Sequence, residues 1–350
     1  RAAAEADLIL IEGVMGLHDG QPDAAQLARM LGLPILLVMD ASAMAGSLGA
    51  IAWGLKHYRD GAPITHVLAN RVGGDYHAQL CRASLPDDIA WLGHLPGDAR
   101  GALPERHLGL LPAGEIVDLD GRIDHMAGLL ADTSAMHLPA PLEFAAAEPP
   151  VWPRHLAGQA IAVARDAAFC FLYPANLDCL QAMGAKLIFF SPLADAKLPP
   201  CDAVWLPGGY PELHGRTLAA NRSMAGALAA HVAAGKPVLA ECGGMMACFE
   251  RLHDAGGAPH AMFGLLPGTV HMRPKLAGLG VGTAALPEGR LGGHSFHYST
   301  ADTTLAPIAC ATPAAGPCAE AIYRSGRLTA SYMHFYFPSN PQAAARLFLE

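Results

Sequence analysis

The sequence predicts an α/β protein of two domains. Three observations carry that prediction. Apolar strands and amphipathic helices alternate through the first half, the same alternation returns in the second half, and residues 137–158 between them (HLPAPLEFAAAEPPVWPRHLAG) lack periodicity and are rich in proline and alanine, as a linker is. The domains are therefore drawn at 1–136 and 159–350. In the first, Asp7 to Glu12 (DLILIE), Pro34 to Asp40, Ile64 to Asn70 and Ile89 to Leu95 read as strands, with helices over Ala24 to Leu31, Ser47 to Tyr58 and His77 to Leu85. Continuous apolar strands between such helices predict a parallel sheet covered on both faces. In the second, Gln159 to Ala164, Lys186 to Phe190, Ala203 to Leu206 and Pro237 to Ala240 read as strands. A helix over Arg216 to Ala234 is stopped by Gly235, and another spans Met245 to Leu252; glycine suits a helix end because it accepts the left-handed conformation there. Beyond residue 261 the pattern changes to short β segments, Gly264 to Met272, Gly293 to Ser299 and a pair around Ser325-Gly326, before an alternating strand over Ala330 to Phe337.

Composition excludes several classes. The chain has 350 residues, 52% hydrophobic and 15% charged, with a formal net charge of −8, and no basic stripe of the kind a nucleic-acid binder carries. No apolar stretch is long enough to span a membrane, and no signal-peptide pattern is present. The eight cysteines form no CxxC pair, which predicts reduced thiols in a cytoplasmic protein and no zinc site. The chain opens on Arg1 with a helix-like stretch running straight into a strand, and it closes on Ala343 to Glu350 like a helix cut short. The expectation is a fragment of a longer chain.

The chemistry concentrates in KPVLAECGGMMACFERL, residues 236–252. A cysteine on a strand-to-helix turn flanked by glycines has the pattern of a nucleophile elbow. A helix N-terminus behind it is expected to lower the thiol pKa and to offer N–H groups to an oxyanion. Cys242 is the candidate nucleophile. Two partners are available: the glycine turn of AVWLPGGYPE, at Gly208 and Gly209, and His334 in ASYMHFYF. Cysteine, distant histidine and a glycine turn for the oxyanion make a covalent acyl-transfer site. The order PGG, then CGG, then a late histidine resembles the class I glutamine amidotransferase domain. That resemblance implies Cys242 as nucleophile, His334 as base, and Gly208, Gly209 and Gly243 as the glutamine and oxyanion loop. Many members carry glutamate two residues after the histidine; here that position is Tyr336, so a Cys–His dyad is expected. Cys248 reads as core. His294 and His297 of GHSFHYS face either the glutaminase site or a domain interface, without an assigned catalytic role.

The first half carries a weaker signal. EGVMGLHDG follows the first predicted strand, with Glu12 and Asp19 at its ends; carboxylates at that end of a parallel strand hold Mg²⁺ beside nucleotide phosphates. Asn70 and Arg71 end another strand, where an amide can read an adenine edge. No GxxxxGK(S/T) loop occurs, so a phosphate loop is expected ahead of Arg1 if ATP binds.

Taken together, IEGVMGLHDG, AQLARMLGLPILLVMDA, LANRVGG and PERHLGLLPAGE, followed by PGGYPE, AECGGMM, GHSFHYS and ASYMHFYFPSNP, resemble the cobyrinic acid a,c-diamide synthase family over nearly the whole chain. The resemblance implies a P-loop, dethiobiotin-synthetase-like amidoligase domain joined to a flavodoxin-like glutaminase domain. It implies ATP and Mg²⁺, glutamine and a corrinoid polyacid as the small molecules handled, and amidation of the a and c acetate side chains in cobalamin synthesis. Glu12 and Asp19 match the metal and activation positions, with Glu12 as the Mg²⁺ ligand and Asn70 and Arg71 on the nucleotide. Arg71, Arg100, Arg106, His107, Arg273 and Lys275 are candidates for substrate carboxylates, with solvated surface groups as the alternative. A nickel-sirohydrochlorin a,c-diamide synthase and a stand-alone cysteine hydrolase are the competing functions. The sequence leaves homodimerisation open.

Overall fold

In a computed structural model of the chain, residues 5–13, 15–20, 22–106, 109–110, 113–145, 148, 150–313 and 320–349 are described. The chain divides into two units, Arg1–Glu148 and Pro149–Glu350. In the first, helix α1 (Ala24–Leu31) starts where the Asp23 carboxylate accepts from the Gln26 N–H at 2.6 Å and the Gln26 side chain accepts from the Asp23 N–H at 3.1 Å. This reciprocal cap satisfies donors that a helix start otherwise leaves open. Then come β1 (Ile35–Asp40), α2 (Gly46–His57), β2 (Ile64–Val72), α3 (Asp75–Ala83) and β3 (Ala90–Pro96). The strands pair in parallel in the order β1-β2-β3. The middle strand is the most buried: Ile64, Val67, Ala69 and Val72 pack with Leu48, Ala52, Ala78 and Cys81 of the helices. Register places Asp40 opposite Asn70 at the C-terminal edge. A short ladder, Glu105–Arg106 with Gly109–Leu110, precedes α4 (Leu119–Ala131).

The expected first strand is not formed. Residues 7–12 carry no strand, and Leu8, Ile9, Leu10 and Ile11 are exposed, Leu10 at 86%. An apolar run becomes a strand only when a neighbouring backbone accepts its ladder, and the three paired strands described here do not include it.

The second unit is built on a ten-stranded sheet. Its parallel part comprises β4 (Ala160–Ala164), β5 (Lys186–Phe190), β6 (Ala203–Leu206) and β7 (Val238–Glu241). Successive side chains point to opposite faces. Ala162, Val204, Leu206, Val238 and Ala240 enter one core, whereas Ile161, Val163, Ala203, Trp205 and Leu239 enter the other. Both faces are thus covered, as parallel sheets require. Helix α5 (Pro174–Ala182) follows β4. The long helix expected over Arg216 to Ala234 is two, α6 (Gly215–Ala220) and α7 (Arg222–Ala233). Asn221 makes the break. Its Oδ1 accepts from Met224 N–H at 3.2 Å while its Nδ2 donates to the Pro192 and Asp195 carbonyls, both at 2.8 Å, so the cap of α7 is tied to the loop after β5.

The expected helix over Met245 to Leu252 also divides. Helix α8 (Gly243–Cys248) stops and β8 (Phe249–His253) begins. Phe249 and Leu252 are fully buried, and β8 pairs with β9 (Pro259–Ala261) and β10 (Leu266–Met272). Tertiary pairing overrides a local helical pattern of this kind. The antiparallel part of the large sheet uses β11 (Gly278–Leu286), β12 (Gly289–His297), β14 (Ala309–Pro313), β15 (Glu320–Ser325), β16 (Leu328–Ser331) and β17 (His334–Phe335). The intervening β13 (Ser299–Asp302) joins the smaller sheet of β8 to β10. The order in the large sheet is β17-β12-β11-β14-β15-β16-β7-β6-β4-β5. Strand β16 runs parallel to β7 with Ser331 opposite Glu241, and this pairing brings the C-terminal segment to the elbow. Residues 328–335 are all buried, without the predicted alternation. Helix α9 (Pro341–Arg346) ends the described chain near Phe348, which is fully buried. Among the described residues no helix is long and apolar enough to cross a membrane.

Candidate active site

Cys242 stands between β7 and α8 with φ 48° and ψ −110°. A positive φ is costly for a residue with a Cβ and persists only where surroundings impose it. Here the Cys242 N–H donates to the Ser331 carbonyl at 2.7 Å, and the Cys242 carbonyl accepts from the Met246 N–H at 2.9 Å. The elbow is thus fixed at one end by β16 and at the other by the first turn of α8.

Glycines let three segments meet there. A Cβ on Gly243 would lie 2.7 Å from the Gly209 carbonyl oxygen, one on Gly244 2.0 Å from the Leu206 oxygen, and one on Gly209 2.1 Å from the Ala168 oxygen. A Cβ on Gly208 would lie 2.3 Å from Cε1 and 3.0 Å from Nδ1 of His334. The turn after β6 therefore touches the elbow through Gly209 and the imidazole through Gly208. Close backbone approach is the use glycine has at such positions. The loop ahead of α5 supports the turn, because the Phe171 N–H donates to the Gly208 carbonyl at 3.0 Å.

His334 is 5% exposed, as is Cys242. Its ring stacks on His294 with centroids 4.9 Å apart and lies 6.2 Å from the Phe171 ring. Tyr173 Oη is 2.7 Å from His294 Nδ1, and its ring meets Tyr336 edge-on at 6.4 Å. Tyr336 is 44% exposed. The position two residues after the histidine thus contributes an aromatic rim and no carboxylate.

The electrostatics correct one expectation. The thiol of Cys242 is pushed up to about 12, first by burial and further by the charges of Glu212, Glu241 and Glu320, against the lowering effect of the Gly243 N–H. Desolvation of the charged form outweighs the helix N-terminus. His334 is pushed down to about 3 by burial and by its neighbours His294 and His297. Both shifts favour a neutral thiol and a neutral imidazole at rest.

The other predicted residues fall in two groups. In the first unit, Arg71 takes a left-handed φ of 58° and its guanidinium reaches Asp40 at 3.2 Å, while Asn70 Oδ1 accepts from the Arg71 N–H at 2.9 Å. Asn70 and Arg71 therefore sit together at the C-terminal edge of β1 and β2. Glu12 and Asp19 are both exposed, and the Asp19 N–H donates to the Gly16 carbonyl at 2.9 Å. Among the described residues no group of three or more His, Cys, Asp or Glu side chains could by itself hold a metal ion. Arg100 is engaged by Asp98 at 2.7 Å. Arg106 lies in the short ladder, and His107 lies outside the described residues. In the second unit, Arg273 follows β10 and its Nε donates to Thr300 Oγ1 at 3.0 Å, on the smaller sheet; Lys275 is exposed nearby in sequence. His297 is held by Ser299 and Glu320 and stacks on Tyr332 at 3.8 Å. Cys248 is fully buried in a core.

Glu241, Asn176, Phe171 and Tyr173 stand around His334 and its strand without a role expected from the sequence. Glu241 carried one usable signal, a charged residue ending a four-residue apolar strand. The aromatic pair in FLYPAN carried none, because only the loop's path brings Phe171 to His334 and Tyr173 to His294.

A strand-borne cysteine elbow, a glycine turn and a buried histidine on a mixed sheet define the glutamine amidotransferase class. Residues 160–342 match the model of the CobB/CobQ-like glutamine amidotransferase domain. Over 99% of its length the chain is 55% identical to a hydrogenobyrinate a,c-diamide synthase of Stutzerimonas stutzeri, covering 81% of that protein, and 53% identical to one of Pseudomonas aeruginosa, covering 80%. It is 47% identical to a cobyrinate a,c-diamide synthase of Herminiimonas arsenicoxydans, again over 99% of this chain and 80% of that protein. The chain belongs to the cobyrinate and hydrogenobyrinate a,c-diamide synthase family.

Proposed function

We propose that this protein is a glutamine-hydrolysing carbon–nitrogen ligase that amidates the a and c acetate side chains of cobyrinic or hydrogenobyrinic acid at the expense of ATP. The observation that carries the reading is the meeting of Cys242, Gly243, Gly208, Gly209 and His334 at one turn in a chain that is 55% identical to such a synthase over 99% of its own length. Residues 159–350 act as the glutaminase and 1–136 as the amidoligase, joined by 137–158.

In the glutaminase, the Cys242 sulfur attacks the side-chain amide carbon of glutamine while His334 takes the thiol proton and delivers it to the departing ammonia. Water then hydrolyses the thioester to glutamate. The N–H groups of Gly209 and Gly243 receive the oxyanion. The resting thiol and imidazole are neutral, so bound glutamine must stabilise the charge that proton transfer creates. Ammonia then displaces phosphate from a substrate carboxylate that ATP has activated, because a free carboxylate is a poor electrophile. Asn70 and Arg71 face the nucleotide. Glu12 and Asp19 supply hard oxygen donors of the type Mg²⁺ takes alongside phosphates; an ion held there neutralises phosphate charge. Arg106, His107 and Arg273 serve the substrate carboxylates. The described cysteines are free, which supports action in a reducing cytoplasm.

The test compares nitrogen sources. Cys242→Ala is expected to lose glutamine-dependent amidation and to keep amidation from free ammonia, and Glu12→Gln to lose both. Loss of both activities in folded Cys242→Ala would overturn the two-site reading. Counting amides added to metal-free, cobalt- and nickel-containing tetrapyrrole acids by mass separates the substrate alternatives.

A further inference from the structure

The dyad has no carboxylate on its imidazole, yet a buried carboxyl group is hydrogen-bonded to the backbone of the residue after His334. Glu241 immediately precedes Cys242 in β7 and is 2% exposed. Its Oε1 accepts from the Phe335 N–H at 2.8 Å, and its Oε2 accepts from Trp205 Nε1 at 2.8 Å. Phe335 immediately follows His334. One hydrogen bond therefore ties the neighbour of the nucleophile to the neighbour of the base.

The rest of the β17 backbone is gripped from the other side. Asn176, 1% exposed, donates from Nδ2 to the Phe335 carbonyl at 2.7 Å and accepts at Oδ1 from the Phe337 N–H at 2.8 Å. Strand β17 is two residues long, and its ladder to β12 pairs only His294 with His334 and Gly293 with Phe335. So short a ladder does not fix a side chain alone. We infer that Glu241 is the positioning residue of the Cys242–His334 dyad, holding the imidazole at the sulfur through the Phe335 backbone in place of a carboxylate on the ring. Trp205 orients Glu241 for that bond, and Asn176 completes the clamp.

The physical logic is that of preorganisation. A buried carboxyl group is costly unless its oxygens accept hydrogen bonds. A hydrophobic residue would fill the same volume without that cost, but it would leave the Phe335 N–H unsatisfied. The group acts on geometry, and a displacement of the base by about an ångström is enough to cost a large factor in rate.

The proposal rests on the glutaminase reading above, and the experiment separates the two. Glutamine hydrolysis is measured for the full chain and for Cys242→Ser, Glu241→Gln and Glu241→Asp, with circular dichroism and urea unfolding as checks on folding. In Glu241→Gln one of the two N–H donors must face an amide NH₂. The expected result is a fall in kcat of about tenfold or more with KM within about twofold, since the glutamine pocket itself is not altered. Amide exchange in the peptide covering residues 332–337 should rise by about fivefold or more, with β4 and β6 unchanged. If Glu241→Gln does not accumulate folded, Glu241→Asp, which withdraws the carboxylate by one methylene, is scored by the same split. Wild-type kcat in a folded Glu241 variant overturns the positioning role while Cys242→Ser is inactive. A kcat loss without local exchange at 332–337 overturns it too. Hydrolysis at the wild-type rate by Cys242→Ser removes the dyad, and the role of Glu241 with it.

Discussion

His294 lies opposite His334 across the β12–β17 ladder, and the two imidazoles stack with centroids 4.9 Å apart and planes 24° apart. A second imidazole thus occupies the flank of the base. Its Nδ1 is engaged by Tyr173 at 2.7 Å, and burial holds its pKa below the ordinary value. A neutral neighbour leaves room for charge on His334 during proton transfer; a protonated one opposes it.

The charge of His294 is among the causes that lower His334. Replacing it with a neutral ring therefore raises the pKa of His334. For His294→Phe the acid limb of the kcat/KM profile for glutamine hydrolysis is expected to move to higher pH. An unchanged limb, or one moved to lower pH, would show that His294 exerts no electrostatic effect on the base.

Gly208→Ala addresses position alone. The added Cβ would meet Cε1 of His334 at 2.3 Å, so the ring must shift. A fall in kcat of about tenfold or more is expected, with a smaller loss of stability than a clash with backbone causes, because the nearest displaced atoms belong to a side chain. Gly244→Ala meets backbone, the Leu206 oxygen at 2.0 Å. There the expected effect is a loss of roughly 2 kcal/mol or more of stability, as overpacking gives. Equal catalytic and stability effects in the two variants would contradict this division.

The resting thiol is protonated at neutral pH because burial pushes Cys242 up to about 12. Iodoacetamide reacts with thiolate. Without glutamine, alkylation at Cys242, followed by peptide mass spectrometry, should still be rising with pH above 9, by about tenfold per unit. A plateau reached below pH 8 would mean that the elbow holds a thiolate at rest.

The parallel strands of both units were legible because they are short apolar runs bounded by turn residues, and β4, β5 and β6 fall within a residue of their expected limits. The meeting of Cys242 with the Gly208–Gly209 turn could be anticipated as well, since both follow parallel strands that end at one edge. What composition cannot express is partnership. DLILIE has strand composition but joins no described ladder, and FERL has helical spacing but is claimed by β10. Asn221 breaks a helix through carbonyls more than 25 residues away. The Cys242 shift runs against the sequence expectation for the same reason: a helix N-terminus is visible in sequence, whereas burial of the sulfur is a property of the packed sheet. Glu241 was visible but mute, because its partners Trp205 and Phe335 lie 36 and 94 positions away.

Stability should carry the imprint of two buried groups, Glu241 and His334. Burial raises Glu241 from 4.5 to about 8, so between those values the folded chain holds a proton that the unfolded chain has lost, and stability falls as pH rises. His334 is lowered from 6.5 to about 3, so across that range the unfolded chain holds the extra proton, and stability rises with pH. Each slope is about 1.4 kcal/mol per pH unit. The two oppose each other between pH 4.5 and 6.5, and above that only the Glu241 slope remains, until about pH 8. Urea unfolding of the wild-type chain should therefore lose about 2 kcal/mol relative to Glu241→Gln between pH 6.5 and 8. Parallel curves for the two proteins over that interval would mean that Glu241 is already ionised in the folded state at pH 6.5, with its two hydrogen bonds compensating its burial.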